Sequence, residues 1–80
     1  MGKPAKQNLI GPAIQKIRYQ RGFTQDMLAA RCHRAGWDVG ENTISKIEAQ
    51  IRCVTDMEII FLAKALGVKV QDFFPTSKSV

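Results

Sequence analysis

Eighty residues allow one domain, and a chain this short must pack its core efficiently to fold at all. The composition, 45% hydrophobic and 24% charged, is that of a soluble globular protein rather than a disordered tail. Its longest uninterrupted apolar run, Ile59 to Ala63, is far short of the ~18 residues a membrane span needs. Lys and Arg outnumber Asp and Glu by 12 to 7, a net charge of +5; the excess favours a polyanionic partner but by itself governs only solubility and non-specific association.

Met1 to Asn8 is polar and basic, with Lys3, Pro4 and Lys6 and no apolar core, so it does not read as a secretory signal. Residues 1–9 are expected to form a flexible basic arm. Gly11-Pro12 opens a first helix, because proline near a helix start sacrifices no internal hydrogen bond. Ala13, Ile14 and Ile17 line its inner face, with Arg18 on the same side, and Gly22 stops it. Thr24 suits the N-cap of a second helix reaching about Ala35, whose buried stripe is Leu28, Ala29 and Cys32. Gly36 to Gly40, "GWDVG", breaks the pattern as a loop. A third helix follows over Glu41 to Glu48, and Ala49 to Val54 is a second connection. Thr55 and Glu58 form a capping-box pair ahead of a fourth helix patterned on Ile59, Leu62, Ala63 and Leu66 and ended by Gly67. Val70 to Phe74 makes one more short turn before Pro75, and residues 76–80 are expected to be a loose tail. Nothing alternates like a strand, so the chain reads as all-α.

The third helix is lopsided. Ile44 and Ile47 give it one apolar face, while Glu41, Asn42, Thr43, Ser45 and Lys46 give it a face of mostly short polar groups. A helix that needs only solubility favours longer Glu, Lys and Gln, which are better helix formers than Asn, Thr and Ser. Elsewhere the chemistry is sparse. Cys32 and Cys53 lack metal or redox spacing, and His33 beside Cys32 points about 100° away on a helix, so no metal site is expected. The thiols are expected to be free and mostly buried, as in a cytoplasmic protein. With one His, no paired carboxylates at a useful spacing and no phosphate-cradling glycine loop, neither an enzyme, a cofactor nor a small-molecule ligand is expected.

Two helices joined by a glycine-containing turn, the second short and polar-faced, describe a helix-turn-helix. Through "IQKIRYQRGFTQDMLA", "TISKIE" and "MEIIFLAKALGV", from about Ile10 to Phe74, the chain resembles the phage-repressor (Cro-type, xenobiotic-response-element) helix-turn-helix family. The resemblance implies a compact four- to five-helix, lambda-repressor-like bundle over residues 10–75. It implies sequence-specific binding of double-stranded DNA in transcription regulation, with the third helix in the major groove. Glu41, Asn42, Thr43 and Lys46 match positions that reach base edges, which gives the short polar face a purpose: such groups lie close against a base edge. Gln25, Ser45, Gln50 and Arg52 match positions near phosphates, Gln25 also bracing the recognition helix and Arg52 acting with the amides around Ala49 and Gln50. Arg18 and Glu48 match a structural ion pair between the first helix and the end of the third.

The interval from Ala29 to Ile44 is roughly five residues longer than a tight helix-turn-helix. Gly40 stands where a hydroxyl N-cap is usual, and Asp38 and Glu41 bring negative charge toward the phosphates. Trp37 is expected to anchor the enlarged loop on the core, and Arg31, Arg34 and His33 to face solvent. Met57, Ile60 and Phe61 form a second apolar stripe on the fourth helix. With Phe73 and Phe74 they are candidates for a homodimer interface, which suits a palindromic site. The same stripe, with Trp37 and the acidic loop, also fits an alternative: a protein-interaction module or antitoxin-like regulatory subunit on this fold.

Overall fold

The computed structural model describes residues 6–74. Four helices follow in order: α1 (Gly11–Gln20), α2 (Gln25–Ala35), α3 (Glu41–Glu48) and α4 (Asp56–Leu66), with a 3-10 turn over Val70–Phe73. Residues 1–5 and 75–80, most of the expected arm and all of the expected tail, lie outside the described residues.

Local chemistry sets the boundaries. The Thr24 hydroxyl accepts the Met27 amide at 3.0 Å and starts α2. Thr55 and Glu58 exchange backbone-to-side-chain bonds at 3.1 and 3.2 Å and start α4, the reciprocal arrangement that satisfies two orphan donors. Both helices close on glycine in the left-handed region, Gly36 at φ 109° and Gly67 at φ 72°, where a side chain is disfavoured.

Helix α2 is the hub, packing against α3 on one side and α4 on the other, while α1 closes the bundle against α3 and α4. Ile14, Leu28, Cys32, Ile44, Ile47, Leu62 and Leu66 are fully buried at the centre. Each large aliphatic side chain among them contributes about 1.5–3 kcal/mol over leaving it exposed. Trp37 is half-buried, its ring stacked on Phe61 with centroids 6.3 Å apart, and so seats the long α2–α3 loop on α4.

Some expectations change. Phe73 is 1% exposed and completes the core, so it offers no surface to a dimer; the 3-10 turn directs it inward and leaves Phe74 outside. Phe61 is partly occupied by Trp37. Met57 and Ile60 do remain exposed, at 54% and 40%. Of the thiols only Cys32 is buried, and burial pushes it up to about 11; Cys53 is exposed. Arg31 is not simply solvated, since its Nε donates to the Ala65 carbonyl at 2.6 Å. Nor does the arm run free to residue 9, because Gln7 and Asn8 bond to the segment that follows α3.

Candidate nucleic-acid interface

Helix α3 presents two faces. Ile44 and Ile47 insert fully into the core, as their spacing requires. Glu41, Asn42, Ser45 and Lys46 stand exposed on the other side and Thr43 is half-exposed. None of these five side chains makes a hydrogen bond or ion pair among the described residues. The base-edge candidates thus lie on the part of α3 that the core leaves uncovered, with Thr43 at its margin and their donors and acceptors unspent.

What fixes that face is concentrated at the far end of the helix. Glu48 is 7% exposed and Arg18 5%. The Arg18 guanidinium grips the carboxylate with two bonds, Nε to Oε2 at 2.7 Å and Nη2 to Oε1 at 2.9 Å. Its third nitrogen, Nη1, donates to the Phe23 carbonyl at 2.9 Å in the α1–α2 turn. The bond to Glu48 raises the already high Arg18 pKa, so this charge is permanent. Gln25 adds its amide, Nε2 to Glu48 Oε1 at 3.1 Å. One buried carboxylate therefore ties α1, the start of α2 and the end of α3 together, and bidentate geometry leaves little freedom.

Two further fasteners act at the same end. Asn8 donates through Nδ2 to the Ile47 and Arg52 carbonyls at 3.1 and 2.8 Å, and its Oδ1 accepts from the Gly11 amide at 2.8 Å. Gly11 packs so closely that a Cβ there would overlap the Ile47 carbonyl oxygen and sit 2.9 Å from that of Glu48. Neither residue carries a motif that singles it out, because both meet backbone rather than a complementary side chain.

The phosphate candidates divide. Ser45 is exposed and Gln25 is half-buried at its post on Glu48. Gln50 is engaged: its Nε2 donates to the Asn8 carbonyl at 3.0 Å, and its backbone holds φ 64°, the left-handed turn that closes α3. The amides of Ala49, Gln50 and Ile51 all bond back to α3 carbonyls, at 3.0 Å each. They are spent on the helix end rather than available to phosphate. Arg52 spreads its fork over Glu58, Nη1 to Oε1 at 3.0 Å and Nη2 to Oε2 at 3.2 Å. That bond holds the Glu58 carboxyl below its usual range. Arg52 remains about a third exposed, so its charge still reaches solvent, screened by its partner.

The entry to α3 is held differently, by Val39 buried in the core and by His33 at the Val39 carbonyl, 2.7 Å. Gly40 precedes it with no side-chain cap. The acidic residues nearby are one-sidedly exposed: Glu41 opens the helix, and Asp38 pairs with His33 at 3.3 Å.

Comparison with known proteins agrees with this architecture. A profile of the family described as Helix-turn-helix matches residues 14–73. Among solved structures, the restriction-modification controller protein C.AhdI from Aeromonas hydrophila superposes with a TM-score of 0.73 at 23% identity, covering 81% of this chain and 91% of that one. A hypothetical transcription factor, NHTF from Neisseria, also gives 0.73, at 22% identity over 94% of this chain and 84% of its own. Among curated proteins no sequence matches significantly. At such identities the structural likeness speaks for the fold, whereas the profile spans most of the chain: it belongs to the helix-turn-helix family, in its Cro/C1-type branch of sequence-specific DNA-binding transcription regulators.

Proposed function

We propose that this protein regulates transcription as a homodimer that lays α3 in the major groove of each half of a two-fold operator. In this reading Asn42 pairs with an adenine edge, Glu41 accepts from a cytosine amino group, and Lys46 reaches guanine or a phosphate. Thr43 packs beside a base edge, and Ser45 and Gln25 touch the backbone, Gln25 from its post on Glu48. The observation that carries the reading is the pairing of an open, unspent polar face with a helix end fixed on three sides. Recognition needs donors that are both free and held in place.

The dimer reading is supported by Met57 and Ile60, exposed on one face of α4, where two-fold contact would remove apolar area from water. Two copies joined there would address half-sites about 34 Å apart. Arg52 serves as a screened phosphate contact, its fork shared with Glu58.

The test begins with fluorescence anisotropy on random duplex DNA across a salt series, followed by selection of the preferred site. Affinity is expected to fall steeply with salt, as phosphate contacts release counterions. On the selected site, Asn42→Ala with Lys46→Ala is expected to weaken binding about tenfold or more, at roughly 1–3 kcal/mol for each good base contact. The same variant should bind random DNA much more nearly as before. Unchanged affinity for the selected site would remove α3 as the reading element.

A further inference from the structure

The cations of this protein are not gathered around α3. Among the exposed residues of its reading face only Lys46 is basic, with Glu41 beside it. A denser cluster lies elsewhere. Arg31, Arg34 and Lys64, with Ala35 and Ala65, line an indentation of about 440 Å³ between the C-terminal ends of α2 and α4. No carboxylate lines it.

This groove is on the flank of α2 away from α3. His33 contacts the Val39 carbonyl at 2.7 Å, on the path into α3, whereas Arg31 donates to Ala65 in α4. Residues two apart on a helix point about 200° apart, so the groove and the approach to α3 lie on different flanks of α2.

Cations in the last turn of a helix favour its C-terminal dipole, and that accounts for Arg34 and Lys64 singly. It does not account for Arg31. This guanidinium is held twice, by the 2.6 Å bond to Ala65 and by lying over the Phe23 ring at 4.6 Å. Its two terminal nitrogens have no acceptor among the described residues. A fixed fork with unspent donors is preorganised for a carboxylate or phosphate. Arg34 and Lys64, likewise without an ion pair among the described residues, flank it. Met27, 46% exposed, falls at i with Arg31 at i+4 and Arg34 at i+7, on one helix face. An apolar side chain on the same face of α2, and two alanines in the groove lining, suit a partner that brings methyl groups together with carboxylates. A phosphate backbone brings none.

We propose that this groove is a docking surface for an acidic segment of a second protein carrying Asp or Glu with an apolar residue between them. The surface gives a DNA-bound regulator a hand free for another component of its assembly.

The test uses the full chain and a short fluorescein-labelled peptide of Asp, Glu and Leu. Its binding by anisotropy is compared for the wild type, for Arg34→Gln with Lys64→Gln, and for Lys16→Gln with Lys69→Gln, which removes equal charge elsewhere. The groove variant is expected to lose about tenfold in peptide affinity and the control variant less than about twofold. Affinity for random duplex DNA should fall alike in both variants. Four results would overturn the proposal: no peptide binding by the wild type, an equal loss in both variants, a selective loss of DNA affinity in the groove variant, or a self-association that the groove variant alone abolishes. The peptide measurement needs no DNA, so it stands or falls separately from the operator reading.

Discussion

The two ends of α3 are built on opposite principles. At its C-terminal end Glu48 is bound by Arg18 and Gln25, Asn8 draws on the Ile47 carbonyl, and Gly11 presses against the backbone. At its N-terminal end the chain arrives through a long loop and Gly40, without a side-chain cap. The C-terminal end is thus fixed by polar side chains, and the N-terminal end by the core packing of Val39 and Ile44. Ser45 and Lys46 stand near the clamped end, and Glu41 and Asn42 at the uncapped start.

The largest way to break this contrast is Glu48→Ala. It strands the buried Arg18 charge, and removing one partner of a buried pair costs about 3–5 kcal/mol. That is a large part of the ~5–15 kcal/mol that holds a domain together. Urea denaturation should show the midpoint falling sharply; a midpoint within error of the wild type would mean that the clamp contributes nothing. Gly11→Ala comes next. The added methyl must push α1 away from carbonyls that cannot yield, and overpacking of this kind costs about 1–3 kcal/mol. Because the displacement occurs under Ile47 and Glu48, affinity for a selected operator should fall while helix content by circular dichroism holds. The smallest effect is at the uncapped end. Gly40→Ser supplies the missing cap, and nothing lies within 4 Å of its Cβ. Serine exceeds glycine there by only a few tenths of a kcal/mol, visible as a slight rise in the urea midpoint. A destabilisation would show that the α2–α3 loop needs glycine at this position.

The same contrast explains what could be read in advance. Helices α1, α2 and α4 were legible because they are punctuated by chemistry with a signature: Thr24 and Thr55 at starts, Gly22, Gly36 and Gly67 at stops. The polar face of α3 was legible from period alone. Asn8 was not, because its partners lie 39 and 44 residues along the chain and are backbone carbonyls, which every residue owns. Arg31 was hidden for the same reason, its acceptor being the Ala65 carbonyl. Phe73 and Phe74 are adjacent and identical in chemistry. Only the 3-10 geometry decides that the first goes in and the second stays out.

Trp37 is the sole tryptophan of the chain. It sits in the loop that leads to the uncapped end of α3, with its indole stacked on Phe61 of α4 at an interplanar angle of 23°. Optically, the protein therefore carries an unlabelled reporter beside the start of α3. Any event that lifts the entry to the recognition helix off α4 exposes the indole and moves its emission to the red, and one that seats it more firmly moves emission to the blue. A shift at the entry to α3 becomes a colour.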